Sequence, residues 1–406
     1  MLVDLSNHPI ISLKEIKKIA DCLGDVRLVG GCVRDAILGI ENSDIDLATP
    51  LTPDKVIEKL NSHNIKVVPT GLKFGTVTAV IAGRNYEITT LRHDVACDGR
   101  HADVAFTNDY AEDAARRDFT INALSADING KVYDYHNGIA DLQNGVVKFI
   151  GNAKDRCEED FLRILRFFRF YAYYGKGEID QNSLAACTLY ADKIKSLSGE
   201  RIQKEMLKLF AAKNPLIALT EMLNANLKDI VFSNFECNFS YLRGLIEFEN
   251  KYSLPVLSLL RIKLFAGIDN KQAILDLKKS WKLSNKDTDF LLNINSGDFP
   301  AVNKYKEHNY GIRNLGKDTY KIFTIIHWVK ETVENKALAT DFLNLISYVD
   351  KFVERKFPLS GIDLQKIGFK SGKEMGDILK NLEHLWEEND YQISKQELLK
   401  LASTRR

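Results

Sequence analysis

Residues 28–50 read LVGGCVRDAILGIENSDIDLATP. The stretch opens on an apolar run that ends at Gly30 and Gly31, enters a helical pattern near Val33, and closes on DIDLAT, where acidic and apolar residues alternate. On a strand, the spacing of Asp44 and Asp46 puts both carboxylates on one face and sends Ile45 and Leu47 into a core. Side-by-side carboxylates repel, so the pair is most stable around a divalent cation. Mg²⁺ suits it, because it takes oxygen ligands and completes its shell with water and phosphate oxygens. Glycines between a strand and a helix let backbone N–H groups approach a phosphate, and the helix N-terminus adds a favourable dipole. Arg34 is placed to reach such a phosphate, while Asp35 braces the turn or pairs with Arg34. A ligand-free turn and a pair of exposed aspartates would each explain half of the stretch. The two halves at this spacing point instead to a phosphate cradle beside a metal site.

The rest of the chain limits what can surround that site. Its 406 residues, 45% hydrophobic and 27% charged, suffice for two or more folded domains. No apolar run approaches the roughly 20 residues of a membrane-spanning helix. The N-terminal MLVDLSNHPIISLKEIKKIA reads as an amphipathic helix rather than a signal peptide, so a cytoplasmic location is expected. The six cysteines are scattered without a CxxC pair, the pattern of reduced thiols rather than of zinc or a disulfide framework. The net charge of +1 hides an asymmetry: from residue 251 onward 26 Lys and Arg face 20 Asp and Glu, leaving 30 against 35 before it. An acidic first part suits a metal site and a basic second part suits a phosphate backbone, although a solvated surface would look similar.

Over residues 1–150 short β-branched runs alternate with helical patterns. VTAVIA and YEITTL flank GRN and predict a hairpin, and IDLAT, KVYDY and VVKFI predict further strands. From about residue 155 long segments of helical period take over, among them EEDFLRILRFFRFYAYYG and ERIQKEMLKLFAA. The expected class is α+β: a mixed β-sheet with helices, followed by an all-helical remainder. Residues 299–314 and 355–363 read as breaks between helical groups.

GGxVRD followed after about ten residues by DIDLAT resembles the signature of the nucleotidyltransferase superfamily, in its branch of tRNA nucleotidyltransferases (class II) and bacterial poly(A) polymerases. The resemblance implies a polymerase-β-like catalytic head at 1–150, a base-selecting helical neck at 151–210, a helical body at 211–330 and a tRNA-binding helical tail at 331–406. It implies Asp44 and Asp46 as catalytic metal ligands, with Gly30, Gly31 and Arg34 on the incoming nucleotide. Glu87 in NYEITTLR is either a third metal carboxylate or a surface glutamate on a hairpin. ARRDFTINAL (115–124) resembles the motif that holds the nucleotide, with Asp118 on the ribose hydroxyls and Asn122 and the arginines, Arg116 and Arg117, near the phosphates. A carboxylate accepting two hydroxyl donors favours a ribonucleotide. The bland alternative for this segment is a helix N-terminus with a local Arg117–Asp118 pair.

In EEDFLRILRFFRF (158–170), Asp160 and Arg163 are three apart and Glu159 and Arg163 four apart, so on a continuous helix all three share a face. Leu162, Leu165 and Phe168 would bury the helix elsewhere. A surface ion pair accounts for the charges, but base chemistry gives them a sharper use. Cytosine and adenine each present an amino donor beside a ring-nitrogen acceptor, and uracil and guanine present the reverse. A carboxylate beside a guanidinium therefore fits C and A and repels U and G. In the resembling family an EDxxR motif does this, which casts Asp160 and Arg163 as base readers and Glu159 as the residue that orients Arg163. Arg166 joins the nucleotide contacts on the same resemblance.

The segment 91–118 carries few secondary-structure signals and includes DGRH, Asp98, Gly99, Arg100 and His101, which resembles the family's flexible loop. His93–Asp94 lacks the further ligands of an HD phosphohydrolase. LSGERIQKEMLKLF (197–210) resembles the family's next motif, a helix that buttresses the site through Glu200, Arg201 and Glu205. Near the end Lys366, Lys370 and Lys373 are either RNA contacts or ordinary surface lysines. The implied reaction is template-free addition of C, C and A to a tRNA 3′ end from CTP and ATP. The alternatives are poly(A) synthesis, partial CC or A addition, or a catalytically idle RNA-binding relative.

Overall fold

The computed structural model describes residues 3–404 except 42–43, 98–101, 234, 296–298, 336–338 and 390. DGRH thus lies outside the described residues. The chain divides into two compact units, Met1–Asn234 and Phe235–Arg406.

The first unit carries the sheet. Its strands are β1 (Arg27–Val29), β2 (Asp46–Thr49), β3 (Lys66–Gly71), β4 (Thr76–Ile81), β5 (Arg84–Thr90), β6 (Arg92–Cys97), β7 (Ala102–Phe106), β8 (Ser125–Asp127) and β9 (Val132–Tyr133). Seven of them form a mixed sheet in the order β3-β4-β5-β2-β1-β8-β9, in which β2 and β5 run parallel and the other pairs antiparallel. The predicted hairpin is β4–β5. Its two connecting residues, Ala82 and Gly83, both have positive φ, at 50° and 76°, the backbone that matches the twist of a tight hairpin.

Helices α1 (Lys14–Leu23), α2 (Gly31–Ile37), α3 (Pro53–Ser62), α4 (Tyr110–Ala115) and α5 (Gly138–Asn144) accompany the sheet. They are followed by α6 (Ala153–Glu159), α7 (Leu162–Tyr174), α8 (Gln181–Leu189) and α9 (Gly199–Ala211). In α7 Ile164, Leu165, Phe167 and Phe168 are fully buried, and α7 packs against α9.

Four expectations are corrected. VVKFI is no strand: it makes a single bridge between Phe149 and Phe119. Its backbone bonds go to the 118–120 segment and to the Ser183 hydroxyl, and the Phe149 ring packs 4.9 Å from Phe119 and 5.7 Å from Phe167. The run is apolar because it is wedged among helices. Residues 92–97 and 102–106, expected to lack regular structure, pair antiparallel as the separate two-stranded sheet β6–β7. The third concerns EEDFLR, which is not one helix. Asp160 is extended (φ −157°, ψ 108°) between α6 and α7, and its carboxylate accepts the Leu162 N–H at 3.0 Å, restarting the helix. Lastly, the Leu162 side chain does not bury α7 but lines a cleft.

The second unit is helical among its described residues. Its helices include Phe239–Tyr252, Ser258–Phe265, Lys317–Asn335 and Ala339–Lys351, and near the C-terminus Gly361–Lys366, Lys373–Glu388 and Lys395–Ser403 close on a small core of Leu359, Leu364, Leu382, Trp386, Leu398 and Ala402. In its interior the Arg261 guanidinium pairs with the buried Glu249 carboxylate at 2.5 Å. No helix among the described residues is long and apolar enough to cross a membrane.

Candidate active site

A cleft of about 520 Å³ in the first unit is lined by Gly30, Gly31, Arg34, Asp44, Asp46, Arg117, Asp118, Asn122, Asp160, Arg163 and Arg166, all named from the sequence. Glu159 and Glu87 are not in its wall. Cys32, Arg116, Leu162 and Phe170 are; of these, sequence reasoning placed only Arg116 at the nucleotide and missed the other three. Phe170 carries no chemical signal in an apolar run and owes its role to the direction in which α7 presents it.

The carboxylates stand at the start of β2. Ile45 and Leu47 are buried while Asp44 and Asp46 are exposed, which is the predicted alternation, although the hydrogen-bonded strand begins only at Asp46. Glu87 lies in register with Asp46 on the adjacent parallel strand β5 and is likewise exposed. Desolvation pushes the Asp46 carboxyl above its ordinary value; the Glu87 charge adds to the rise, Arg117 opposes it and Asp44 adds again. Among the described residues no group of three His, Cys, Asp or Glu side chains is gathered closely enough to hold a metal ion. The fit to a cation is electrostatic: the Glu87 and Asp44 charges both act on the Asp46 carboxylate, and a divalent ion beside Asp46 would relieve that repulsion.

Above them Gly30 connects β1 to α2 with φ +69°, a left-handed backbone natural to glycine. A Cβ at this position would lie 2.7 Å from Arg117 Nη1. Gly30→Ala is therefore expected to destabilise the unit by about 1–2 kcal/mol from the backbone alone, measured by denaturant unfolding, and to displace the Arg117 guanidinium from the cleft.

Arg34 is buried and anchored by three of its five N–H donors. Its Nε and Nη2 donate to Asp35 at 2.9 and 3.0 Å, and its Nη1 donates to Asn122 Oδ1 at 2.5 Å. Of the two uses foreseen for Asp35, the structure has the pairing. The Asn122 amide then donates to Asp118 at 2.9 Å, and Asp118 also accepts from the Phe119 N–H at 2.9 Å and Arg166 Nε at 2.7 Å. Burial alone would raise the Asp118 carboxyl, but Arg166, Asn122 and the Phe119 N–H outweigh it and hold it below its ordinary value. Asp118 therefore stays ionised in the cleft wall. The local Arg117–Asp118 pair does not form, because Arg117 and Arg116 both turn to Asp113, at 3.2 and 2.7 Å.

The third wall is the α6–α7 junction. Arg163 donates to the Glu159 carboxylate and to two backbone carbonyls, those of Arg156 and Arg116, each at 3.2 Å. Asp160, displaced from the helical face by the break, forms a two-oxygen ion pair with Arg201 of α9 at 2.7 and 3.0 Å. Glu205 of the same helix pairs with Arg169 at 3.0 Å, while Glu200 is exposed. Asp160 and Arg163 thus face one cleft with separately anchored side chains, where a continuous helix would have paired them.

Residues 26–148 match the family described as "Poly A polymerase head domain", and residues 178–238 that described as "Probable RNA and SrmB- binding site of polymerase A". The chain is 35% identical over 397 residues to the mitochondrial CCA tRNA nucleotidyltransferase 1 of Homo sapiens, covering 92% of this chain and 86% of that one. It is 31% identical over 380 residues to the CCA-adding enzyme of Ligilactobacillus salivarius, covering 92% and 90%. Its fold is similar to that of the Bacillus stearothermophilus CCA-adding enzyme in complex with CTP, with a TM-score of 0.78 at 23% identity over 97% of both chains. It is also similar to that of the Thermotoga maritima CCA-adding enzyme complexed with tRNA, with a TM-score of 0.64 at 20% identity over the whole of both chains. With a polymerase-type head on a helical remainder and relatives of this likeness along nearly all its length, the chain belongs to the family of CCA-adding tRNA nucleotidyltransferases.

Proposed function

We propose that this chain adds C, C and A in turn to the 3′ end of tRNA from CTP and ATP, releasing pyrophosphate, without a nucleic-acid template. The observation that carries the reading is the convergence in one cleft of a carboxylate pair, a set of anchored arginines and the Asp160–Arg163 combination. In this reading Asp44 and Asp46, with Glu87 beside them, hold Mg²⁺. The chemistry Mg²⁺ supplies when bound is a lower barrier to attack on the α-phosphate and charge compensation for the leaving pyrophosphate. Gly30 and Gly31 admit the triphosphate, and Arg34 and Arg117 face it. Asp118, kept ionised by Arg166 and Asn122, accepts the ribose hydroxyls. Asp160 accepts the base amino group and Arg163 donates to the ring nitrogen, a pattern shared by C and A.

The division into head (1–150), neck (151–210), body (211–330) and tRNA-binding tail (331–406) is part of the same proposal, with Lys366, Lys370 and Lys373 as candidate RNA contacts. So is a cytoplasmic location, supported by the buried thiols of Cys22, Cys32, Cys157 and Cys187, which form no disulfide, as suits a reducing compartment. The mitochondrial naming of the human relative supplies the competing location, and cell fractionation separates the two.

The deciding experiment gives the purified protein, Mg²⁺ and tRNA lacking its 3′ end CTP alone, ATP alone, or both. Two C residues from CTP and a terminal A only with both nucleotides support the proposal. A long A tract favours a poly(A) polymerase, A addition alone a partial adder, and no product with any nucleotide an idle RNA-binding relative. Metal choice has its own readout. At Mg²⁺ ten times its Kd the wild type should gain about 1.4 kcal/mol of stability, seen as a raised Tm. Asp44→Asn/Asp46→Asn should lose that gain. Binding needs ionised carboxylates, and the Asp46 carboxyl titrates above its ordinary value, so the gain should fade as pH drops through that raised pKa. An equal gain in the double variant would refute the metal assignment.

A further inference from the structure

Tyr174 is the last residue of α7, whose first turn carries Arg163, and it reaches back to the glycine-flanked turn of the head. Its hydroxyl donates to Asp35 Oδ1 at 2.9 Å, an oxygen that also accepts from Arg34 Nε. Its ring lies under the Arg34 guanidinium, 4.2 Å from ring centroid to guanidinium carbon, and stacks on Phe170, itself part of the cleft wall. Arg34 and Asp35 are each only 6% exposed. Arg34 is thus fixed on three sides: by the Asp35 fork, by the Asn122 carbonyl oxygen and by the Tyr174 ring. Two of these are local to the head. The third comes from the far end of the base-reading helix, 139 residues away in sequence.

We propose that Tyr174 is a positioning residue that fixes Arg34, and through it the triphosphate end of the nucleotide site, to helix α7. The 13 residues of α7 make a rigid rod of about 20 Å. With Arg163 at one end and Tyr174 at the other, the base-reading and triphosphate-facing arginines are spaced by one helix. A planar guanidinium held over an aromatic face and in a carboxylate fork keeps one orientation, which a lysine or an unstacked arginine would not. Asp35 serves both partners: it holds the arginine and accepts the phenol, so the phenol fixes the carboxylate that fixes the arginine. The inference rests on Arg34 facing the triphosphate.

The test is calorimetric titration of the full chain with CTP and with cytidine 5′-monophosphate, which keeps base and ribose but lacks the β- and γ-phosphates. Tyr174→Phe retains the ring and removes the hydroxyl. It is expected to weaken CTP and ATP roughly tenfold, as for a lost hydrogen bond to a charged group, while cytidine monophosphate binding and the preference for C and A over U and G stay at wild-type levels. Asp35→Asn should reproduce the pattern, and in an Arg34→Ala background Tyr174→Phe should add nothing. Unchanged CTP affinity in Tyr174→Phe, an equal loss for the monophosphate, or full additivity with Arg34→Ala would each overturn the proposal. If Arg34→Ala itself leaves CTP affinity intact, the triphosphate reading of Arg34 fails, and that failure is distinct from the others.

Discussion

Asp46→Ala is expected to lower the rate of nucleotide addition by roughly 10³-fold or more, with tRNA binding retained. On the proposed reading the magnitude follows from chemistry: the α-phosphate and the departing pyrophosphate concentrate negative charge where the protein offers carboxylates, so the reaction would depend on a cation held there. Losing several kcal/mol of charge stabilisation corresponds to about three decades in rate. Asp46 is the sharper choice of the two aspartates. It sits in register with Glu87 and feels both that charge and that of Asp44, whereas Asp44 precedes the hydrogen-bonded strand. Removing Asp46 also relieves carboxylate repulsion, so the metal-free variant should unfold no more easily than wild type. Single-turnover addition of CMP to tRNA, with unfolding measured in parallel, checks both statements. Wild-type turnover in Asp46→Ala would refute the role.

The second large effect concerns base choice. In Arg163→Ala the ratio of kcat/KM for CTP over UTP is expected to fall by roughly 10- to 100-fold, the 1–3 kcal/mol that a two-point base contact contributes. The structure makes Arg163 a fixed donor: Glu159 and the carbonyls of Arg156 and Arg116 leave its guanidinium little freedom. Uracil offers an N–H where cytosine offers an acceptor, so under the proposed role the intact arginine would reject it, and without the arginine that penalty should disappear. The substitution also leaves Glu159 with Arg156 as its remaining guanidinium partner, at 2.9 Å, which keeps the α6–α7 junction charged and solvated. A variant that folds and keeps the wild-type CTP-over-UTP ratio would exclude Arg163 as a reader.

Much of the cleft was legible because its residues cluster in short motifs whose local geometry is set by neighbours in sequence. Period-two burial at Ile45 and Leu47 placed Asp44 and Asp46 outward, and a glycine pair before a helical pattern located the Gly30 turn. The helical remainder was legible for a related reason, since 3.6-residue periodicity is a local property of a chain. The misreadings have one cause. VVKFI, β6–β7 and the break at Asp160 depend on what the segment packs against. No Gly or Pro marks the interruption in EEDFLR; there Asp160 ends α6 in an extended conformation, accepts the Leu162 N–H and binds Arg201, 41 residues further on.

The sequence by itself determined the α+β class, the outward carboxylates at the start of β2, the glycine turn between β1 and α2 and the identity of most of the residues that line one cleft. Tertiary structure alone decided the pairings: Asp46 with Glu87 across parallel strands, Asn122 between Arg34 and Asp118, Asp118 with Arg166, and Tyr174 under Arg34. Local propensity acts over a few residues, whereas an ion pair or stacked ring forms only where packing brings distant segments within a few ångströms. Such a partner is selected by the docking of helix on sheet, and no spacing along the chain encodes it.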